Sequence, residues 1–203
     1  MTASPTRTGR FRRRTLSGLL ALLLAPFAQG AERQVEDSLG PLAHLVGHWQ
    51  VLTSIPGEGG LQVGPPGKAV ILPILGGQAL VEDVTLRFPD AEGLRLRHTF
   101  THDPYVDLFR ITAIDDASGL LDVYEGRFED GRLQVDNIRA HTFSPTALGR
   151  ELAFRLRWHE ISADGFRFDV FQSDDGGESW ALYAAQTYLR DSDPADAAGD
   201  APD

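Results

Sequence analysis

The sequence predicts an all-β domain: an antiparallel meander of about ten strands closed into a barrel, with a short helix or turn at its N-terminal end. Three observations predict it. From Val46 to Arg190 apolar residues recur with period two in short segments, as they do on a half-buried strand. The breaks between segments are built of Gly, Pro, Asp and Ser, each suited to a tight turn, and no stretch of helical period intervenes. The last two segments, FRFDVFQ and ALYAAQTYLR, flank SDDGGESW, a hairpin signal that returns the chain to close its own sheet.

Taken in order, the chain opens with Arg7, Arg10, Arg12, Arg13 and Arg14, followed by an apolar run from Leu16 to Phe27 and the small residues of Ala28-Gln29-Gly30. A basic start, a short apolar stretch and a small-residue end make residues 1–30 a signal peptide, cleaved after Gly30. Arg13-Arg14-Thr15-Leu16 also fits a twin-arginine pattern, so both export routes stay open. The apolar run is too short to span a bilayer comfortably, and the mature protein is expected free in the periplasm or outside the cell.

Val35, Leu39, Leu42 and Leu45 then follow at roughly helical spacing, interrupted by Gly40-Pro41, which predicts a short helix or turn from about Pro41 that plugs one end of the sheet. Strands are expected at 46–54, 68–75, 78–88, 93–102, 105–115, 120–128, 131–140, 150–160, 165–173 and 179–190. Curling so many strands into a barrel removes exposed edges; an open sandwich is the alternative. The domain is expected over 31–190. The tail from Asp191, DSDPADAAGDAPD, is acidic and poor in apolar residues, the composition of a disordered segment.

Charge and composition exclude several functions. Five of the 19 basic residues lie in the leader, so the body carries 14 against 29 acidic residues. Such a body repels nucleic acid and anionic membrane surfaces. With no cysteine, disulfides, thiolate metal sites and a cysteine nucleophile are excluded. GEGG at 57–60 and LGG at 75–77 lack the following helix that phosphate and dinucleotide sites need. The histidines show no metal-binding spacing: His98 and His102 share a strand face but stand about 13 Å apart. No metal and no cofactor is expected.

Some residues are candidates for chemistry. Alternation places His98 on one face with Leu94, Leu96 and Phe100, Glu82 with Leu80, Val84 and Leu86, and Arg110 with Val106, Leu108 and Ile114. Three polar side chains among apolar neighbours are costly unless paired. They form either a structural Glu-Arg-His network or the anchors of a ligand. SDDGGESW fits the Asp-box pattern S-x-D-x-G-x-S-W, whose Ser173, Asp175, Gly177 and Trp180 build a turn. Its alternative is calcium held by Asp174, Asp175 and Glu178.

At Leu45-Val46-Gly47-His48-Trp49 a G-x-W opens the first strand, which resembles the start of calycin barrels, the lipocalin-like and fatty-acid-binding group. The wider layout, with LVGHW, ILGGQALVED, THDP and SDDGGESW followed by TYLR, resembles the bacterial DUF1579 family, distantly similar to the nitrobindins. The resemblance implies a lipocalin-like barrel with an internal cavity, and an arginine of the last strand, here Arg190, covering Trp49. Nitrobindins hold haem through a histidine near the C-terminal end; this chain has none after His159, so haem is not expected. Fatty-acid-binding barrels hold a carboxylate with R-x-Y, an order reversed here at Tyr188 and Arg190.

These observations predict an exported barrel that binds a small, largely apolar ligand inside, with Trp49, Glu82, His98, Arg110, Trp158 and Tyr188 lining the pocket. Two alternatives stay open. One is an isomerase or cyclase with His98 and Glu82 as general acid and base. The other is a structural or partner-binding barrel whose interior is filled.

Overall fold

A computed structural model describes residues 35–191, apart from residues 37, 90, 92, 147 and 148. The leader at 1–30 and the acidic tail beyond Asp191 lie outside the described residues. After a helical stretch around Val35 and Leu39, a 3-10 turn spans Gly40–Leu45 with Pro41 in its first turn. The strands are β1 Gly47–Gly57, β2 Gly60–Val63, β3 Gly67–Ile74, β4 Ala79–Leu86, β5 Leu94–Asp103 and β6 Leu108–Asp115, then β7 Leu121–Glu129, β8 Arg132–Asp136, β9 Ser144–Pro145, β10 Glu151–His159, β11 Gly165–Ser173 and β12 Ala181–Arg190.

Every pairing is antiparallel. From β1 the sheet runs through β3, β4, β5, β6, β7, β8, β10, β11 and β12 and returns to β1, a closed ten-stranded barrel. The short β2 pairs only with the end of β1, and β9 only with β10. Closure satisfies the edge groups that an open sheet would expose, and the sandwich alternative is overturned. Among the described residues no helix is long and apolar enough to cross a membrane.

Three segments differ from their expected ends by more than two residues, and the one expected at 46–54 runs on to Gly57, where it pairs with β2. The one expected at 131–140 stops at Asp136 because Asn137 takes over the hydrogen bonding: its Oδ1 accepts the Phe154 N–H at 2.8 Å and its Nδ2 donates to the Thr142 carbonyl at 2.8 Å. The one expected at 105–115 begins at Leu108, after a turn in which Asp103 Oδ1 accepts the Tyr105 N–H and Asp107 adopts a φ of 48°. β7 and β8 meet closely at Gly126, where a Cβ would lie 1.9 Å from the Gln134 carbonyl oxygen. A residue without a side chain is what that approach requires.

The two ends of the barrel are packed differently. At the end where β1 starts and β12 finishes, Leu42 and Leu45 of the 3-10 turn are fully buried. Beneath them pack Trp49, Ile71, Leu80, Phe100, Ile111, Leu133, Trp158 and Tyr188, each almost without exposure. Trp49 donates from Nε1 to the Leu45 carbonyl at 2.8 Å, tying plug to barrel. The Arg190 guanidinium lies 4.1 Å over the Trp49 ring and donates to the Val46 and His44 carbonyls at 3.2 Å each. The cation thus meets the negative face of the ring while its N–H groups satisfy carbonyls at the end of the 3-10 turn. This end is shut. The other end is open.

Candidate functional site

The site begins as a register. Alternation turns Leu80, Glu82, Val84 and Leu86 of β4 and Leu94, Leu96, His98 and Phe100 of β5 inward, and the pairing sets Glu82 directly opposite His98. Their side chains are 1% and 4% exposed, and His98 Nδ1 lies 2.7 Å from Glu82 Oε2. In an apolar interior the carboxylate needs this partner, and its bond fixes the imidazole with Nδ1–H donating, which turns Nε2 the other way. Phe100, Trp158 and Phe168 surround the ring edge-on at 6.0–6.3 Å. Among the described residues Glu82 Oε1 has no partner in hydrogen-bonding geometry, and the Tyr188 hydroxyl beside it lies 3.3 Å from Gln186 Oε1. Burial, and then the charge of Glu82, push the Tyr188 phenol well above its ordinary pKa, so it stays a neutral donor.

Above His98 the barrel is open. A chamber of about 230 Å³ is walled by apolar side chains, Leu86, Leu96, Leu156 and Phe168 among them. Its polar groups are His98, Gln186, Ser144 and a cluster of Asp115, Asp122 and Tyr124 on β6 and β7, with the half-exposed Tyr183 at the mouth. The Tyr124 hydroxyl donates to Asp122 Oδ2 at 3.1 Å. Burial raises the Asp122 pKa, the Tyr124 bond works against that rise, and the charge of Asp115 adds to it. Burial chiefly, with Asp122 beside it, pushes the Tyr124 phenol well above its ordinary range. At the mouth a groove of about 650 Å³, lined by Ile55, Pro56, Leu182 and others, shares Phe88, Leu94 and Tyr183 with the chamber. Ligand sites are commonly such apolar concavities with few polar groups, of about 300 Å³ and more. The chamber alone falls short of that size, and the adjoining groove extends it.

Of the six residues expected to line the pocket, His98 lines the chamber and Glu82 stands behind it as its partner. Trp49, Trp158 and Tyr188 point inward but belong to the filled end: Trp158 stacks on Phe168 at 4.4 Å, Tyr188 stacks on Phe166 at 4.1 Å, and Trp49 meets Phe166 edge-on at 5.0 Å. Arg110 is a correction. It faces outward, its side chain 43% exposed, and bonds Glu125 at 2.8 Å and Asp103 at 3.0 Å. The inner face of β6 is Phe109, Ile111 and Ala113. Both faces of this strand carry apolar residues, so alternation alone does not choose between them; the cost of burying a guanidinium does.

The sequence reading missed Asp122, Tyr124 and Gln186. Asp122 and Tyr124 alternate inward with Phe128, but Leu121 and Val123 supply a competing apolar face. Gln186 stands between Ala184 and Tyr188 on the inner face of β12, a signal that was present.

The hairpin joining β11 and β12 is built as a turn. Ser173 Oγ donates to Asp175 Oδ1 at 2.6 Å and accepts the Gly177 N–H at 2.8 Å; Ser179 N–H and Oγ–H both donate to Asp175. Gly177, at a φ of 94°, has its carbonyl bonded by Trp180 Nε1 at 3.0 Å. Asp174 pairs with Arg150, so two of the three carboxylates of the calcium alternative, Asp174 and Asp175, are already engaged. The hydrogen bonds from Ser173 and then Ser179 hold the Asp175 carboxyl well below the usual range. A depressed folded-state pKa contributes stability that is present above the unfolded value and lost as pH falls through the folded one. Thermal unfolding between about pH 5 and about pH 2 is therefore expected to lose less stability in Asp175→Asn, which starts lower, than in the natural chain; parallel pH curves would contradict this.

Comparison with known proteins adds the following. A family model described as "Protein of unknown function (DUF1579)" matches residues 39–190. No curated protein matches the chain. Among solved structures, an S-type phycobiliprotein lyase, CPES, from Guillardia theta is similar at 12% identity and a TM-score of 0.52, covering 80% of this chain and 98% of that one. A redesigned β-barrel is 16% identical with a TM-score of 0.40, covering 75% of this chain and 96% of its own. The likeness to the lyase shows a shared calycin-like barrel fold.

Proposed function

We infer the function of this chain, which belongs to the DUF1579 family, from its half-open barrel: it is an exported binding protein that holds a small, largely apolar ligand in the chamber above His98. The observation that carries this reading is the asymmetry of the interior. One end is packed shut around Trp49, while the other keeps an apolar chamber open beneath an apolar mouth. A barrel needed only as a scaffold gains stability from filling that space, since empty apolar volume forfeits packing. Export is supported by the basic and apolar leader. The fold shared with the phycobiliprotein lyase supports a barrel of this kind and brings no ligand with it.

Isolation of the protein from the periplasmic or culture fraction of an expressing bacterium, with intact-mass and small-molecule mass spectrometry, tests both parts. The expected result is a chain beginning at Ala31 that carries an apolar compound at near-equimolar amount. A full-length cytoplasmic chain contradicts export; a mature chain that carries no compound and takes up none from a lipid extract contradicts ligand binding.

A second reading has its own observation, an imidazole held by a carboxylate in the wall of the chamber. That is the arrangement of a general base, as in an isomerase or cyclase. If the bound compound is also turned over, His98→Ala abolishes turnover and keeps binding; unchanged turnover contradicts this reading.

A further inference from the structure

The chamber's polar groups have a common sign. Every ionised side chain lining it is acidic, Asp115 and Asp122, and no lysine or arginine lines either the chamber or its mouth among the described residues. The arginines of the adjacent strands are spent outside: Arg95 on Asp116, Arg97 on Asp83, Arg110 on Glu125 and Asp103. No guanidinium is left inside to receive a carboxylate, the group that bidentate recognition would require.

The groups are also acceptors. Asp115 is occupied by its own turn, accepting the N–H groups of Ala117 and Ser118 and the Ser118 hydroxyl. Asp122 takes the Tyr124 hydroxyl on Oδ2 alone, which leaves Oδ1 free to accept. His98 supplies the independent observation. Its side chain is 4% exposed and lines the chamber, and among the described residues Nε2 has no hydrogen-bond partner. With Nδ1 committed to Glu82, Nε2 is the ring nitrogen left for a ligand.

We propose that the chamber selects an apolar ligand bearing an amine, its protonated nitrogen held by Asp122 beside Asp115 and close to His98, and rejects ligands that end in a carboxylate. This rests on the binding reading above and names its ligand class. The titratable groups facing the ligand nitrogen are His98, Asp115, Asp122, Tyr124 and Tyr183, with Glu82 behind His98.

The test is calorimetric titration of the mature protein near pH 7 with octylamine, octanol and octanoate, which share a chain and differ in the head group. Octylamine is expected to bind at least about tenfold more tightly than octanoate, and Asp122→Asn is expected to narrow that ratio several-fold. The 15N resonance of His98 Nε2 in the natural protein is expected to shift on octylamine addition, a readout that does not depend on the variant folding. Octanoate binding as tightly as octylamine overturns the proposal while leaving apolar binding intact. Binding by none of the three overturns both. An amine preference unchanged in folded Asp122→Asn, with an unmoved His98 resonance, also overturns it.

Discussion

His98→Leu is expected to lower the free energy of unfolding by about 3 kcal/mol, because it leaves the buried Glu82 acceptor without its partner. The reason is what remains. Glu82 is 1% exposed, Oε2 is bonded to His98 alone, and Oε1 has no partner. Glu82→Leu/His98→Leu removes both groups and replaces them with side chains that pack, so it is expected to recover most of the loss; such exchanges are often neutral or stabilising. Denaturant unfolding of the two single variants and the double variant measures the coupling. Additive losses would show that the two side chains do not depend on one another.

Trp49→Ala is expected to cost about 3–5 kcal/mol, the range for emptying a large aromatic from a core. The ring is 1% exposed and packs edge-on against Phe166. Two further ties go with it. The indole N–H anchors the 3-10 turn through the Leu45 carbonyl, and the ring carries the Arg190 guanidinium. Arg190→Gln removes the cation and is expected to cost about 1 kcal/mol from the ring contact, plus its bonds to the Val46 and His44 carbonyls. Because Trp49 and Arg190 lie at the shut end, Trp49→Phe is expected to lower the unfolding midpoint and leave ligand affinity unchanged. A Trp49→Phe variant that folds but loses the ligand would place the site at the wrong end of the barrel.

The barrel was legible in the sequence because its cause is local and repeated. Period-two alternation on β1, β4, β5 and β11 agrees with the burial of Trp49, Val51, Leu80, Val84, Phe100, Phe166 and Phe168, and the Gly, Asp and Ser breaks fall at the turns. The pairing of Glu82 with His98 was half legible. Alternation put both inside, but only the β4–β5 register set them opposite one another. Arg110 and Asp122 were not legible in the sequence. On β6 and β7 both faces carry apolar residues, and which face turns inward was decided by where Arg110 finds Glu125 and Asp103 and by Tyr124 burying itself beside Asp122. Those are long-range facts. The difference between the filled end and the open end likewise depends on how side chains from ten strands meet, which spacing along one strand does not record.

The central claim is that the open half of the barrel holds the ligand, and a bulky side chain placed there tests it most directly. Ala113 lies opposite His98 across β5–β6 and opposite Asp122 across β6–β7, and it lines the chamber. A phenyl group there occupies the existing void and adds little strain, unlike the same change in a filled core. In titrations of Ala113→Phe against the natural protein, octanol affinity is expected to fall at least about tenfold with the unfolding midpoint unchanged or raised. Octanol bound with undiminished affinity by a folded Ala113→Phe barrel would contradict the claim.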